Sequence, residues 1–447
     1  MSDHVDTIAA IATPPGRGGV GVIRISGPAV STVATTLLGG LPEPRRAVYR
    51  EFRSPDGSVL DSGLAIHFRA PASYTGEDVL ELQGHGGPVV LDALLACVLN
   101  LGCRAAAPGE FTRRAYDNNK LDLTQAEAVA DLIDAESVAA ARAAQRSLTG
   151  AFSRRIEDLC RELLELRTWV EASIDFADED IDFLADGEVA ARLDRLTGHL
   201  FDLQRRTRHG RALSEGLRVA ILGAPNVGKS SLLNQLAGQD AAIVTDVAGT
   251  TRDVLRERIV LGDLPILLLD TAGIRETDDP VERIGVGRAW AAVDDADLVL
   301  MLRVDGEPDP AKTDPVFAVL AGDPRVIPVH NKCDRSGAAA GAREDGSVAI
   351  SALNGAGIED LIAVIRERSG LQANLAGEFS ARRRHLDAIE RASAVLQRAG
   401  EQLHVHGAPE LLAEDLSEAN RILGEINGPV DTETLLGEIF SSFCVGK

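Results

Sequence analysis

Apolar residues follow two different periodicities along the chain, and the first third is dominated by short runs. The runs at 20–26, 64–68 and 79–82 predict β-strands, and an apolar stripe at helical spacing predicts a helix over 88–101. Glycine and proline separate these elements. Residues 1–118 are therefore expected to form an α+β domain.

Helical periodicity dominates two later regions. The runs 121–174 and 188–213 are rich in Ala, Leu, Glu and Arg, and the same texture returns over 382–403 and 409–426. The acidic segment 175–183 reads as a solvated connector, since its carboxylate spacing fits no calcium loop. These patterns predict a helical domain in two parts, 119–212 and 372–447, which flank an inserted domain, 213–371.

The inserted domain opens with a buried strand, a glycine-bounded loop and a helix. The loop reads Gly223-x4-Gly228-Lys229-Ser230, which is the phosphate-binding spacing in the required strand–loop–helix context. The glycines and the helix N-terminus present N–H groups to anionic oxygens. Lys229 is expected to reach the β- and γ-phosphates, and the Ser230 hydroxyl is expected to hold Mg²⁺.

Two further segments fit the γ-phosphate end of such a site. The polar loop 245–253 contains threonines that can complete the Mg²⁺ shell. The apolar run 264–270 predicts a strand that ends in Asp270, placed for the outer shell of the metal, and the N–H of Gly273 can meet the γ-phosphate. The position where Ras-like proteins carry a water-orienting glutamine is Ile274, so another group must orient the attacking water.

Two segments fit recognition of guanine. Asn331-Lys332-Cys333-Asp334 follows a predicted strand, and a carboxylate such as Asp334 accepts both N1–H and N2–H₂ of guanine, a pattern that adenine does not present. Ser351-Ala352-Leu353 follows another strand, where a backbone N–H can meet guanine O6. Four such segments in order predict GTP, not ATP, as the nucleotide.

The charge and the cysteine content limit the binding partners and the cellular compartment that can be expected. The chain has 46 basic and 68 acidic residues, a formal charge of −22, which disfavours unaided tight binding of nucleic acid. The five cysteines form no C-x-x-C pair, which predicts a reducing compartment without disulfides or zinc. No signal-peptide pattern and no apolar run of membrane-spanning length is present, so a cytoplasmic protein without a membrane partner is expected.

Two N-terminal features invite other interpretations. Gly16-x-Gly18-x-x-Gly21 has the spelling of a dinucleotide fingerprint, but it precedes a strand where the fingerprint must follow one and open a helix. His85, in a glycine-rich loop, is expected to be a satisfied structural histidine and not a catalytic one.

The chain closely resembles the bacterial tRNA modification GTPase family MnmE, also called TrmE, over residues 5–447. The most specific segments are TPPGRGGVGVIRISG, GEDVLELQGHGG, NKLDLTQAEAVADLIDA, TDVAGTTRD and FSSFCVGK. The resemblance implies a multidomain α/β protein with an N-terminal α+β folate-binding and dimerisation domain, a split all-helical domain and an inserted Ras-like P-loop G domain.

The resemblance also implies roles for individual residues. Glu282 would orient the attacking water, because position 274 is Ile and not the glutamine of Ras-like proteins. Cys444 matches a cysteine implicated in the modification chemistry. Arg24, Glu81, Lys120 and Lys447 match contacts to formyl- or methylene-tetrahydrofolate. Mg²⁺ would be held by Ser230 and Thr251, and K⁺ by Asn226, Thr245, Val247 and Thr250. The full set expected to contact GTP is Asn226, Val227, Gly228, Lys229, Ser230, Ser231, Thr245, Asp246, Val247, Ala248, Gly249, Thr250, Thr251, Asp270, Thr271, Ala272, Gly273, Asn331, Lys332, Asp334, Ser351, Ala352 and Leu353.

Members of the family act as homodimers with a flavin-bearing partner, MnmG, in a heterotetramer that contacts tRNA. The implied function is addition of a (carboxymethyl)aminomethyl group to C5 of the wobble uridine from a tetrahydrofolate one-carbon unit, with K⁺-dependent pairing of G domains that activates hydrolysis. Two alternatives remain. One is a ribosome-assembly-type GTPase switch without one-carbon chemistry, although nothing after residue 372 resembles the basic RNA-binding module of Era-like proteins. The other is a nicotinamide oxidoreductase built on Gly16 to Gly21.

Overall fold

A computed structural model describes most of the chain. The described residues are 6–175, 188–224, 226–238, 256–262, 264–270, 290–307, 318–320, 322–369, 379–406, 409–428, 433–441, 443 and 445–446. They divide into two compact units, one of residues 1–130 with 424–447 and the other of residues 131–423.

The first unit is built on a largely antiparallel sheet. Its described strands are ordered β3-β4-β5-β2-β1-β6. They are β1 (Ile8–Ile11), β2 (Gly18–Ser26), β3 (Val48–Arg53), β4 (Val59–Phe68), β5 (Val79–Gly86) and β6 (Arg104–Ala105). Helices α1 (Val30–Leu38) and α2 (Pro88–Asn100) pack on it through fully buried side chains such as Val33 and Leu94, which meet Ile23 and Leu82 of the sheet.

The two ends of the sequence meet in this unit. Helices α3 (Glu110–Asp117) and α4 (Leu123–Ile133) follow the sheet strands in the sequence, and α13 (Glu433–Ser441) comes shortly before the last residue of the chain. Leu123 and Ala126 form a buried cluster with Phe440 and Phe443. Burial of these side chains stabilises the unit, at about 25 cal/mol per Å² of apolar surface, and it explains why the unit extends beyond residue 118 and takes in the C-terminal residues.

The second unit contains long helices. They are α5 (Val138–Leu148), α6 (Ala151–Asp175), α7 (Glu188–Ser214), α11 (Arg383–His406) and α12 (Pro409–Asn427). The run 121–174, which was predicted to be helical, therefore consists of three helices, α4, α5 and α6. The side chain of Ser137 caps α5 by accepting from the N–H of Ala140, which is the local signal for a helix start.

A mostly parallel sheet completes the second unit, in the order β12-β13-β11-β10-β7-β9-β8. Its strands are β7 (Leu217–Gly223), β8 (Arg256–Leu261), β9 (Leu264–Asp270), β10 (Leu298–Val304), β11 (Val326–Asn331), β12 (Gly341–Ala342) and β13 (Val348–Ala349). Helices α8 (Lys229–Gly238), α9 (Cys333–Ser336) and α10 (Ile358–Arg368) follow β7, β11 and β13. Strands β13, β11, β10, β7 and β9 are parallel neighbours, so their carboxyl ends share one edge, where ligands bind in such sheets.

The strands and helices predicted from the sequence are confirmed, and the strand at 264–270 is also correct in its bounds. The predicted boundaries at 118 and 372 do not coincide with the divisions between the compact units at 130 and 424. The four-domain division remains a prediction. Most of the acidic connector 175–183 lies outside the described residues.

Candidate functional site

The loop between β7 and α8 carries the predicted phosphate-binding residues. Gly228 has a φ of 105°, and a Cβ built on it would lie 2.2 Å from the side-chain nitrogen of Asn331. A residue with a side chain here would therefore have both a strained backbone and a collision with a buried amide. Glycine at this position allows the loop to contact the neighbouring strand end directly.

Lys229 begins α8 and its ammonium group lies inside the loop. Its Nζ donates to the carbonyl oxygens of Gly223 at 2.6 Å and Ala224 at 3.4 Å. Ser230 and Ser231 occupy the exposed first turn of the helix, where free N–H groups and the helix dipole favour an anion. A lysine, hydroxyls and a helix N-terminus at one loop suit a phosphate chain with its bound cation.

Asn331, at the end of β11, connects the phosphate loop to the segments predicted to bind the base. Its side-chain nitrogen donates to the Val227 carbonyl oxygen at 2.7 Å. Its side-chain oxygen accepts from the N–H groups of Lys332 at 2.8 Å and Ala352 at 2.9 Å. Because Asn331 is only 2% exposed, losing these bonds would leave buried polar groups unpaired. One side chain thus fixes three loops relative to one another.

The lysine of the same segment adds a second connection. Nζ of Lys332 donates to the carbonyl oxygen of Asn226 at 2.8 Å. Asn226 itself is exposed and has a φ of 61°. The predicted K⁺ ligand Asn226 is therefore held by the predicted base-binding segment.

Asp334 presents an exposed carboxylate at the base side of the site. The hydroxyl of Ser351, which is fully buried, donates to its Oδ1 at 2.6 Å. This bond orients the carboxylate and leaves acceptor capacity for a ligand. Ala352 is buried beside it, whereas Leu353 is 82% exposed.

A polar cluster behind these segments was not predicted from the sequence. His330 of β11 lies beside Asp305, which follows β10, and beside Arg303 and Arg343. Burial, followed by the charges of Arg303 and Arg343, lowers the pKa of His330. Hydrogen bonds, first that from Ser336, lower the pKa of Asp305. The one sequence signal was an acidic residue directly after a buried strand.

Several predicted ligands lie outside the described residues: Thr245, Asp246, Val247, Ala248, Gly249, Thr250, Thr251, Thr271, Ala272, Gly273, Glu282, Cys444 and Lys447. Asp270, the last residue of β9, is paired with Ile221 of β7, so it stands at the same sheet edge as the phosphate loop. Within the described part of the chain, no group of three His, Cys, Asp or Glu residues is placed to hold a metal ion. The described candidates, Ser230 and Asn226, offer oxygen donors, which suit hard cations such as Mg²⁺ and K⁺.

A second candidate site lies in the first unit. Arg24 of β2 is paired with Glu81 of β5 in the sheet register, and its Nε donates to Glu81 Oε1 at 3.0 Å. The guanidinium lies 5.6 Å from the ring centre of Tyr74 and 5.8 Å from that of Phe111, distances within cation–π range. Burial raises the pKa of the Tyr74 hydroxyl, which is hydrogen-bonded to Thr112. The two aromatic residues were not predicted as part of a site.

The C-terminal residues contact the same arginine. A side-chain nitrogen of Arg24 donates to the Gly446 carbonyl oxygen at 3.3 Å. Gly446 has a φ of 95°, and a Cβ on it would lie 2.5 Å from the Ile11 carbonyl oxygen, so this close contact with β1 requires glycine. Lys120 donates from Nζ to the Pro71 carbonyl oxygen at 3.0 Å. The structure thus brings Arg24 and Glu81 to the residue that precedes Lys447.

The two doubtful N-terminal features have structural explanations. Gly18 and Gly21 lie within β2, which pairs antiparallel with β1, so the glycines do not open a helix and the dinucleotide fingerprint is excluded. His85 is exposed, and its Nδ1 lies 2.7 Å from Asp61 Oδ1. The imidazole therefore has the hydrogen-bond partner that the prediction of a satisfied histidine requires.

Two family profiles match the chain. One, described as "GTP-binding protein TrmE N-terminus", matches residues 7–120, and the other, "MnmE helical domain", matches residues 123–444. Curated proteins named tRNA modification GTPase MnmE match over nearly the whole length. The one from Erwinia tasmaniensis is 52% identical over 456 residues, covering 100% of both chains.

The chain belongs to the MnmE family. The MnmE protein of Stutzerimonas stutzeri is 52% identical and covers 99% of both chains, and that of Chromohalobacter salexigens is 53% identical, covering 99% of this chain and 98% of its own. A solved structure of the G domain of the T. maritima FeoB iron transporter is 25% identical and covers 34% of this chain and 98% of its own, with a TM-score of 0.27, too low to indicate a shared fold.

Membership of the MnmE family confirms the resemblance seen in the sequence and the prediction of a GTP-hydrolysing enzyme. In the described ranges, no helix combines the length and the apolar character that crossing a membrane requires.

Proposed function

We propose that this chain hydrolyses GTP in the modification of tRNA at the wobble uridine. The observation that carries the proposal is the position of Asn331, which joins the phosphate loop at Val227 to the base-binding segment at Ala352. The phosphate loop and the segment that carries the acidic group for the base are thus joined through one buried side chain. The 52% identity to curated tRNA modification GTPases supplies the tRNA part of the proposal.

Selection of guanine follows from the acceptor at Asp334. Its carboxylate accepts from both N1–H and the amino group of guanine, and the Ser351 hydroxyl holds it in orientation. Adenine offers an acceptor at N1 and no amino group at C2, so it would leave the carboxylate without a donor. The backbone N–H of a residue in 351–353 would meet guanine O6.

The phosphate chain would lie over the N-terminus of α8. Lys229 would exchange its bonds with Gly223 and Ala224 for the β- and γ-phosphates, and Ser230 with Thr251 would hold Mg²⁺, which spreads the charge of the phosphates. Thr271, Ala272 and Gly273 would meet the γ-phosphate. The N–H groups of Gly228 and Lys229 would donate to phosphate oxygens.

We further propose that K⁺ takes the place of an arginine finger. Asn226, with Thr245, Val247 and Thr250, would hold the ion, whose positive charge would stabilise the charge that develops in the transition state. The bond from Lys332 to Asn226 supports this role, because it fixes the loop that carries the amide. Glu282 would orient the attacking water, since Ile274 has no polar side chain.

GTP hydrolysis is expected to be several times faster in K⁺ than in Na⁺ at equal ionic strength. Na⁺ is smaller than K⁺ and binds oxygen at shorter distances, so a site whose oxygens suit K⁺ would hold Na⁺ less well. The measurement is phosphate release at saturating GTP in each chloride salt. Asn226→Ala should remove the difference between the salts, and equal rates in the unchanged chain would contradict the K⁺ site.

The first unit supports a folate site. Arg24, paired with Glu81 and flanked by Tyr74 and Phe111, offers an oriented cation beside flat aromatic surfaces. A tetrahydrofolate derivative presents a ring that donates to carboxylates and a glutamate tail that binds cations. Arg24, Glu81, Lys120 and Lys447 would hold formyl- or methylene-tetrahydrofolate, the source of the one-carbon unit.

Arg24→Gln is expected to weaken binding of formyltetrahydrofolate about tenfold or more, because a hydrogen bond to a charged group contributes about 1.5–3 kcal/mol. Calorimetric titration of the full chain measures it. Arg50→Gln, which removes an exposed arginine of β3 in the same sheet, is the control and should bind normally. GTP hydrolysis without tRNA should not change in either variant, and an unaltered folate affinity in Arg24→Gln would remove this site from the proposal.

The proposed assembly is a homodimer that works with the FAD-binding protein MnmG in a heterotetramer. A chain with a formal charge of −22 repels tRNA, so a partner would supply most of the contacts to the nucleic acid. Together they would install a (carboxymethyl)aminomethyl group at C5 of the uridine in the cytoplasm, and Cys444 would take part in that chemistry.

Nucleoside analysis of tRNA from cells that lack this chain tests the proposed function. We expect the modified wobble uridine to disappear, and to return with the unchanged gene but not with Lys229→Ala. If the modification persists while ribosome assembly is impaired, the chain is instead a regulatory GTPase switch.

A further inference from the structure

Asp305 contacts the predicted guanine-binding segment on both sides of Asp334. Its backbone N–H donates to the Asn331 carbonyl oxygen at 2.8 Å. Asn331 is the first residue of the segment. Its side-chain oxygen accepts from the hydroxyl of Ser336, the last residue of α9. Because Asp334 lies in the first turn of that short helix, Asp305 holds the segment at its beginning and at its end.

The environment of Asp305 requires a carboxylate. Its side chain is 7% exposed and accepts hydrogen bonds from Ser336 and from the Arg343 guanidinium at 2.9 Å, and the His330 ring lies 3.1 Å away. An ionised carboxylate is acceptor-only and can accept from both the hydroxyl and the guanidinium. An amide would turn an NH₂ group toward some of them and would lose the attraction to Arg343.

The histidine is oriented by the other side of the cluster. Arg303 Nε, which can only donate, lies 3.0 Å from His330 Nε2. Nδ1 on the other side of the ring lies 3.1 Å from Asp305 Oδ1 and 3.0 Å from a guanidinium nitrogen of Arg343, so the two arginines hold the ring between them. A side chain fixed in this way supports the carboxylate from β11 while Arg343 supports it from the loop after β12.

We propose that Asp305 is a positioning residue for guanine recognition, which holds α9 so that the Asp334 carboxylate meets the amino group of the base. This rests on the proposed contact between Asp334 and guanine. Asp305 does not touch the ligand; it fixes the backbone on either side of the group that does. A change confined to the Asp305 side chain leaves its backbone N–H bonded to Asn331 and leaves the bond from Asn331 to Val227 in place, so we expect the larger effect on recognition of the base.

Binding of GDP and of inosine diphosphate to the full chain tests the proposal. Inosine lacks the amino group at C2, so its affinity depends less on the orientation of Asp334. We expect Asp305→Asn to weaken GDP about tenfold and inosine diphosphate only about threefold, in line with the loss of one charge-assisted contact. The maximal rate at saturating GTP should remain within about twofold.

Asp323→Asn is the matched control. Asp323 is also paired with an arginine, Arg325, and its pKa is likewise lowered, but it stands before the start of β11, at the opposite edge of the sheet. In Asp323→Asn, the ratio of the affinities for GDP and inosine diphosphate should equal that of the wild-type chain. Ser336→Ala, an exposed substitution that removes only the bond to α9, should change the ratio in the same direction and covers the case in which Asp305→Asn does not fold.

Equal losses for the two nucleotides in Asp305→Asn, or no loss in Asp305→Asn and Ser336→Ala, would overturn the positioning role. Asp334→Ala in the same assay separates this from failure of the proposed function. If Asp334→Ala leaves the ratio unchanged, the carboxylate does not read guanine at all. If it changes the ratio and Asp305→Asn does not, only the positioning role is wrong.

Discussion

Glu282→Ala will leave the affinity for GTP nearly intact while hydrolysis falls by about two to four orders of magnitude. A residue that positions the attacking water contributes little to ground-state binding, and general acid–base and water-orienting groups contribute about 10²–10⁴-fold to rates. The loss is expected to be this large because the side chain at position 274 is Ile, which cannot substitute. Equilibrium binding of a non-hydrolysable GTP analogue and single-turnover phosphate release measure the two quantities.

Glu276→Ala removes the same charge from the same segment and is the control. It should hydrolyse GTP at a rate within a few-fold of the unchanged chain. A large loss of affinity in Glu282→Ala would instead assign Glu282 a structural role.

Asp334→Asn will transfer nucleotide preference from guanine to xanthine. Xanthine has a carbonyl group at C2 where guanine has an amino group, so an amide that donates suits it and a carboxylate does not. Sites built to hydrogen-bond a polar group discriminate by up to about 10⁴–10⁵, so we expect GTP affinity to fall at least about a hundredfold while xanthosine triphosphate gains. Competition binding against a labelled guanine nucleotide gives both constants.

The chain offers a closely matched control for this exchange. Asp345 is exposed and accepts from the buried hydroxyl of Ser347 at 2.6 Å, as Asp334 accepts from that of Ser351. Asp345→Asn should retain guanine preference. If Asp334→Asn binds GTP normally, the base is recognised elsewhere.

The parts of the site that follow local rules were predictable from the sequence. Lys229 belongs to a loop whose spacing is dictated by phosphate geometry, and Asp270 ends a continuous apolar run, which is how a buried parallel strand reads. Ser137 was an available cap signal that breaks the long helical run. These features need only neighbours in sequence.

The contacts that organise the site could not be predicted, because they join residues far apart in the chain. Asn331 bonds to Val227 across 104 positions, and Arg24 meets Gly446 across 422 positions. No pattern near Asp305 indicates that Arg343 and Ser336 will converge on it. The order of the strands in the sheet determines which polar side chain contacts several distant segments. That order is a property of the tertiary structure.

The close approach between positions 228 and 331 has a consequence for how the sequence can vary. An ideal Cβ at Gly228 and the amide nitrogen of Asn331 would be 2.2 Å apart, so both cannot be present in this geometry. A mutant that acquires a methyl group at 228 must also move or replace the asparagine, and then the Val227 carbonyl loses its donor. Substitutions at the two sites are therefore epistatic: a substitution at position 228 of the phosphate loop should also impair discrimination between bases. A compensating substitution should be sought on β11.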